Sequence, residues 1–206
     1  SSMGKFLEFV FNRIFLGMIA TAYFWLLTLA GGVVFGLAPA SATLMSLYAE
    51  HGYTYRAYHL KEAWELYKSN FVKSNLAFYS FVFVDLVLVY GLYLLVQLPH
   101  QTIFHLLATF LNVLVVALVF LAYTVSLKLQ VYFDLSYRNT LKLSLIGIFM
   151  SLPAITKVLL GTTLLVGVGY YMPALLFFVG IGVWHFFISD MLEPIYESIH
   201  EKLATK

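Results

Sequence analysis

The sequence predicts an all-α membrane protein: a polytopic helical bundle with four clear spanning helices, a broken N-terminal hairpin and one cytoplasmic amphipathic helix. Hydrophobic residues make up 62% of the 206 residues and charged residues only 11%, whereas a soluble domain carries roughly 25% charged residues. So few charged side chains cannot cover a soluble surface, which excludes soluble enzyme folds. Alternation of period two is nowhere sustained, which disfavours a β-barrel. We expect one membrane domain over residues 1–206.

Four segments have the length of about 20 mostly apolar residues that a spanning helix requires. They are residues 76–98, 103–127, 143–168 and 172–190. Together they account for much of the chain, and we expect each to cross the bilayer once.

The N-terminal apolar stretch, residues 14–48, is too long for one helix and is interrupted by residues that break helices. These are Gly31, Gly32, Gly36 and Pro39. We predict that residues 14–30 cross most of the bilayer and that the glycines then turn the chain. A second short helix would begin with Pro39 at its first position, where a missing N–H costs little, and end near Ala49. With this hairpin the chain has five to six membrane segments.

The distribution of Lys and Arg predicts the orientation, because cytoplasmic loops are enriched in these residues. If the hairpin returns the chain to its starting side, all cations except Lys157 lie on one side of the membrane. They are Lys5, Arg13, Arg56, Lys61, Lys68, Lys73, Lys128, Arg138, Lys142, Lys202 and Lys206. We therefore predict a bacterial plasma-membrane protein with both termini in the cytoplasm. The alternative, five plain helices, would place the N-terminus outside.

Residues 55–72 form the one substantial polar stretch. Apolar residues recur there at spacings of three and four, from Leu60 to Phe71, while Lys and Glu occupy the other face. This pattern predicts an amphipathic helix. The helix would lie either in the headgroup region or against the cytoplasmic ends of the bundle.

Three segments of the sequence together resemble the YesL-like family of small bacterial membrane proteins. They are GLAPASATL at 36–44, Trp64 with YKSNFVK at 67–73, and a stretch from Tyr132-Phe133-Asp134 through Arg138 and Lys142 to Pro153. The resemblance covers most of the chain. It implies that the protein is encoded beside binding-protein-dependent ABC importers and glycoside-degrading enzymes. It implies no established activity and supplies no catalytic residues.

Ionisable residues at membrane depth are the first candidates for a polar site, because a charge at the bilayer centre costs about 2.5 to 3.5 kcal/mol. Asp85 and Lys157 are such residues. In the predicted spans they lie roughly 14 and 21 Å from the starts of their helices, so that mutual neutralisation is feasible. The pair would be structural or would bind substrate, and Lys157 could instead snorkel outward. Pro153 is expected to kink the helix that carries Lys157.

The start of the Pro39 helix is the second candidate site. If that end lies at depth, the free N–H groups of Ala40, Ser41 and Ala42 point into the protein with the positive end of the helix dipole. Hydroxyl groups of Ser41 and Thr43 would add further hydrogen bonds to an anionic substrate, as in transporters with broken helices. The alternative is a simple turn at the outer surface.

Several kinds of chemistry have no signature in the sequence. There is no cysteine, no phosphate-binding G-x-x-x-x-G-K-[ST] motif, no G-x-S-x-G and no H-E-x-x-H. The six histidines show no repeated ligand spacing, so we expect no metal and no cofactor. The near balance of 12 basic and 10 acidic residues leaves no basic field for nucleic acid.

The function that the sequence favours is therefore non-enzymatic. We predict an accessory or assembly partner of a carbohydrate ABC import system, in contact with the lipid bilayer and with ABC permease subunits, through residues 55–72 and 130–142. One alternative is a carrier for a sugar or sugar acid that binds it at Asp85, Lys157, Ser41 and Thr43. A second alternative is an intramembrane enzyme.

Overall fold

The computed structural model describes residues 1–206 as a bundle of helices without any strand, which confirms the predicted fold class. In chain order the helices are α1 (Ser2–Ala30), α2 (Leu37–His51), α3 (Leu60–Val96), α4 (Ile103–Tyr132), α5 (Tyr137–Ile148), α6 (Leu152–Tyr171), α7 (Pro173–Met191) and α8 (Glu193–Ala204). A 3₁₀ turn, Tyr55–Ala57, precedes α3, and a π-helical turn, Leu176–Gly180, lies within α7. Helices α1, α3, α4, α6 and α7 are long and apolar enough to cross a membrane. The chain is a multi-pass membrane protein.

The predicted break in the first hairpin is confirmed at residues 31–36, between α1 and α2. A Cβ atom on Gly36 would overlap the carbonyl group of Thr28, and one on Gly31 would lie 2.5 Å from the backbone of Gly36. Gly32 has a φ of 68°, in the left-handed region that glycine enters without steric cost. Glycine is therefore required for the two helices to approach this closely.

Side chains of α3 hold the outer part of this turn. Val33 has a φ of 70°, which is unfavourable for a β-branched residue. The Nδ2 group of Asn75 donates to the carbonyl oxygen of Phe35 at 2.9 Å. The hydroxyl group of Tyr79 donates to the carbonyl oxygen of Val34. These bonds from a neighbouring helix stabilise a conformation that the turn sequence alone disfavours.

Helix α2 brings the chain back along α1. The guanidinium carbon of Arg13 lies 4.0 Å from the ring centroid of Tyr53, which follows α2 by two residues. Arg13 is about 26 Å from the end of α1 at 1.5 Å per residue. The segment after α2 thus lies at the same end of the bundle as Arg13, which is the geometry that the return hairpin requires.

The loop after α2, residues 52–59, is fixed by polar contacts. The hydroxyl group of Tyr58 donates to the carbonyl oxygen of Gly52 at 2.7 Å, and that of Tyr23 donates to the carbonyl oxygen of Tyr58 at 3.0 Å. Burial raises the pKa of Tyr58 above its ordinary value, so the phenol stays a neutral donor. His51 and Glu62 form a further contact at 2.8 Å across the loop.

Residues 55–72 do not form a separate amphipathic helix, contrary to the prediction. After the 3₁₀ turn, α3 continues without a break for 37 residues, so the polar stretch and the span predicted at 76–98 are one helix. No Gly or Pro separates the two stretches. Ala63 and Tyr67, on the apolar side of the first turns, are buried in a cluster with residues of α1 and α2. This part of α3 therefore packs against the bundle.

The span predicted at 143–168 is wrong, because residues 149–151 separate α5 from α6. The hydroxyl group of Ser151 accepts a hydrogen bond from the N–H of Ala154 at 3.4 Å and caps α6. Pro153 lies in the first turn, where its missing N–H leaves no helical bond unmade. It starts a helix and does not kink one. The other three predicted spans are confirmed in α3, α4 and α7.

Lys128, which the sequence assigned to a cytoplasmic loop, is buried in α4 and joins three helices. Its Nζ group donates to Oε2 of Glu193 at 2.6 Å, at the start of α8, and to the hydroxyl group of Ser189 at 3.2 Å, in α7. The side chain is only 3% exposed. The rings of Tyr132 and Tyr196 lie 5.0 and 5.8 Å from Nζ, within the range of cation–π attraction. This ion pair connects α8 to the membrane helices.

Loss of the Glu193 carboxylate is expected to destabilise the protein. Glu193→Gln leaves the buried ammonium group of Lys128 unpaired, and we expect the free energy of unfolding in detergent to fall by about 2 kcal/mol. This is below the roughly 3 to 5 kcal/mol of a fully buried pair, because the Glu193 side chain is 44% exposed. The matched control Glu197→Gln, on the exposed side of α8, should change it by less than about 0.5 kcal/mol. Equal effects of the two substitutions would show that the ion pair does not stabilise the fold.

Cysteine labelling tests the return hairpin. The chain has no cysteine of its own, and Lys5, Lys61 and Gln101 are exposed. We expect Lys5→Cys and Lys61→Cys to resist an impermeant thiol reagent in intact cells, and Gln101→Cys to react, because the loop after α3 lies one crossing away from Lys61. Reaction at positions 5 and 101 together, with position 61 protected, would contradict the hairpin.

Candidate functional site

The α3–α4 hairpin contains a crevice with apolar walls and a single carboxyl group. Its volume is about 260 Å³. The walls include Phe81, Asp85 and Val89 of α3 and Val116, Val119 and Phe120 of α4. The α3 residues are four positions apart, and Val119 and Phe120 follow Val116 by three and four positions, so each set shares one side of its helix. Two wall residues, Leu86 and Val89, are 63% and 49% exposed, so the crevice opens at the outer surface of the hairpin.

Asp85 is half-buried in this crevice and has no partner in the chain. Its Oδ1 atom is buried without a hydrogen bond, and its carboxylate takes part in none of the four ion pairs of the structure. Removing a polar group from water without pairing it is costly, and most of all for a charged group. In membrane proteins, ionisable residues of this kind mark functional positions.

A second unpaired acceptor lies on the same helix pair. The Oδ1 atom of Asn112 in α4 is also buried without a hydrogen bond. The Nδ2 atom of Asn112 lies 3.5 Å from where a Cβ atom on Gly91 would be, so the amide faces α3. Gly91 follows Asp85 by about 9 Å along α3. The α3–α4 interface thus carries two acceptor oxygens for which this chain supplies no donor.

The structure does not bring Asp85 and Lys157 together. Lys157 follows the start of α6 by five residues, about 8 Å, and not the 21 Å expected from an unbroken helix over 143–168. Its side chain is exposed and forms no ion pair. A lysine this close to a helix end can reach the headgroups along its own stem, so the geometry favours snorkelling.

The N–H groups predicted to be free at the start of the Pro39 helix are bonded. Pro39 is the third residue of α2 and not the first. The N–H of Ala40 donates to the carbonyl oxygen of Gly36 at 3.0 Å, and the N–H groups of the next two residues lie within the helix. The hydroxyl group of Thr43 donates to the carbonyl oxygen of Pro39 at 2.7 Å. The predicted cradle for an anion is therefore not formed.

Of the remaining predicted residues, Ser41 lies nearest to the crevice. It is buried, and its side chain is next to the phenol of Tyr123, which lines the crevice. The four residues predicted as a substrate site are therefore dispersed: Asp85 in the crevice, Ser41 behind it, Thr43 bonded within α2 and Lys157 on the surface of α6.

Sequence reasoning missed Asn112 and Lys128. Asn112 is a lone amide in the apolar run of α4, and that isolation was a usable signal of the kind that identified Asp85. Lys128 gave no such signal, because it lies at the end of an apolar run where a solvated lysine is common. Only the position of α8 shows that it is buried.

Asp85→Asn and Lys157→Met are expected to act independently. Because the two side chains do not contact each other, we expect a coupling free energy below about 0.5 kcal/mol in a double-mutant cycle of unfolding in detergent. Asp85→Asn alone should not destabilise the isolated protein, since it removes a carboxylate that has no partner there. A coupling of about 2 kcal/mol or more would show that the two charges pair in the folded chain.

Comparison with known proteins yields one family match. Residues 18–92 match the model of a family described as "Protein of unknown function, DUF624". The comparison found no match among curated proteins and none among solved structures. The matched segment contains the C-terminal part of α1, all of α2 and most of α3, including Asp85, whereas the resembling stretch at 132–153 lies outside it. The resemblance to the YesL-like proteins is confirmed in this segment: residues 18–92 of the chain have the sequence pattern of the DUF624 family.

Proposed function

We propose that the protein is a non-enzymatic accessory or assembly partner of another integral membrane protein, which the resemblance indicates to be a carbohydrate ABC importer. The observation that carries this proposal is the unpaired carboxyl group of Asp85 in an apolar crevice that opens at the surface of α3 and α4. Such a group is unfavourable in a membrane unless it is paired. A neighbouring membrane protein supplies both the missing donor and the apolar contact.

The carrier alternative is less well supported by the geometry. A desolvated sugar needs a hydrogen-bond partner for each hydroxyl group, because an unpaired polar group costs about 1 to 3 kcal/mol. Among the residues that line the crevice only Asp85 and Tyr123 carry polar groups, while Lys157 is exposed on α6 and Thr43 is bonded within α2. Association therefore fits the arrangement of polar groups better than transport does.

The cation-rich end of the bundle supports a cytoplasmic docking surface. The Nζ group of Lys73 lies 3.4 Å from the carbonyl oxygen of Phe133 and 3.7 Å from Oδ1 of Asp134. Beside this contact Val72 and Tyr137 line one crevice, so residues of the segments 55–72 and 130–142 are neighbours, which supports the proposed surface. Lys61 and Lys68 are exposed on the same helix. In the proposed orientation this end faces the cytoplasm of a bacterial cell, together with both termini.

Isolation of the tagged protein from its native membranes in mild detergent tests the proposal. We expect an ABC permease subunit to co-isolate with it. Lys61→Glu with Lys68→Glu should reduce the recovered permease while membrane insertion stays normal, because the reversed charges oppose the docking surface. Lys202→Glu with Lys206→Glu, at the exposed C-terminus, is the matched control and should have no effect.

A different pair of results would support the carrier alternative. Absence of a permease from the isolated material, together with uptake of a sugar acid by vesicles that contain only the purified protein, would overturn the accessory function. Loss of that uptake in Lys157→Met would then assign the substrate site.

A further inference from the structure

We infer that the Asp85 crevice receives the side chain of a lysine or arginine from a transmembrane helix of the partner protein. The inference rests on the proposed function and adds which surface docks and what chemistry it recognises. Within the α3–α4 hairpin no basic side chain faces the unpaired carboxyl group of Asp85, whose surroundings in the crevice are mainly apolar.

The hydrogen-bonding groups in the interface define the ligand as a donor. In the crevice the Oδ1 atom of Asp85 is buried without a partner, and the Oδ1 atom of Asn112, outside the crevice and facing Gly91, is a second such oxygen on the same helix pair. An ammonium or guanidinium group carries donors and no acceptor, so it complements such oxygens without leaving a polar atom of its own unpaired. Its charge also matches the carboxylate, and a charge-assisted bond is roughly twice as strong as a neutral one.

The crevice also suits the stem of a long basic side chain. Lysine and arginine carry three or four methylene groups before the charged head, and these groups pack well on apolar surface. Val116 and Phe120 provide that surface on one side and Val89 on the other. The exposed faces of Leu86 and Val89 at the mouth provide contact for the helix that carries the side chain.

A second copy of this chain does not provide the cation at the right depth. Lys128 in α4 is already paired with Glu193, and Lys157 is the only cation within the spans predicted from the sequence. The indole of Trp184 donates to the hydroxyl group of Thr162 at 2.9 Å, and its ring lies 6.3 Å from that of Phe120 in the crevice. The crevice is thus level with Thr162, about 8 Å along α6 from Lys157. Copies related by an axis along the membrane normal keep this offset, so Lys157 of a second copy would have to extend its whole stem away from the headgroups to reach Asp85. A basic residue of a different protein at the level of the crevice pairs with Asp85 without that extension. Lipid acyl chains fill apolar crevices but carry no donor.

Site-specific photo-crosslinking in native membranes tests this inference on the full chain. A photoreactive phenylalanine derivative replaces Leu86 at the mouth of the crevice. The control position is Leu164, which is 70% exposed on α6. From position 86 we expect a crosslink to one transmembrane segment of the partner, with a lysine or arginine within one helical turn of the linked residue, and from position 164 none to that segment.

Substitutions at Asp85 then test the charge. Asp85→Asn should lower the crosslink yield and the recovered partner at least about tenfold, as expected for loss of one member of a desolvated charge pair. Asp85→Glu should retain most of both. Lys157→Met, the matched loss of the other charge in a span, should change neither. Asp85→Lys should abolish the crosslink, and exchange of the partner's basic residue for Asp should restore it. An unchanged elution profile and unfolding transition of Asp85→Asn shows that the variant is folded.

The outcomes separate this inference from the proposed function. If the permease co-isolates but position 86 links only to lipid, to a second copy or to a segment without a basic residue, the inference is wrong and the accessory function stands. The same holds if Asp85→Asn leaves the association unchanged. If no membrane protein co-isolates with the unmutated chain, the proposed function and the inference both fail.

Discussion

The close approach of α1 and α2 at Gly31 and Gly36 determines where the later segments of the chain lie. Because a Cβ atom on either glycine would meet backbone, the reversal needs both positions free of side chains. The turn returns the chain to the level of Arg13, and that return sets the side from which each later helix starts. It also places α2, whose residues from Ala38 to Met45 are buried, in contact with α1, α3, α4 and α7. Small side chains in that segment let four helices pack closely around it.

Helix ends were predicted well where the sequence contains a glycine or a capping residue. They were predicted poorly where hydropathy does not change at the end of the helix or changes within it. Gly31 and the capping residue Thr102 mark the end of α1 and the start of α4, and both boundaries were predicted. Hydropathy could not show the break at 149–151, because Phe149 and Met150 are apolar. Ser151 and Pro153 are residues typical of a helix start. When residues 143–168 are taken as one helix, however, Pro153 equally indicates a kink. For α3, the change from polar to apolar residues indicated a helix boundary. The helix is continuous there, because no Gly or Pro interrupts it at that point.

The candidate site was predictable in its central residue and not in its surroundings. Asp85 is conspicuous because carboxylates are rare in spans. The helix that the Asp85 side chain faces depends on packing. A sequence gives the position of a residue along its helix, but it does not show which helices lie next to it. The pairing with Lys157 therefore looked feasible from depths alone, and those depths changed once α6 started at Leu152. Lys128 shows the reverse case: a residue that looks like a loop cation is the most buried charge of the chain.

The proposed association rests on an acid without a partner, which lies on a hairpin whose outer residues are apolar and exposed. The α1–α2 turn and the Lys128 ion pair stabilise the chain internally, whereas the carboxyl group of Asp85 in the α3–α4 crevice remains unpaired. Association is tested most directly by the mass of the particle that contains this chain when native membranes are extracted into lipid nanodiscs and analysed by native mass spectrometry. We expect a mass that requires this chain together with a different membrane protein. A particle made only of copies of this chain would contradict the proposed function.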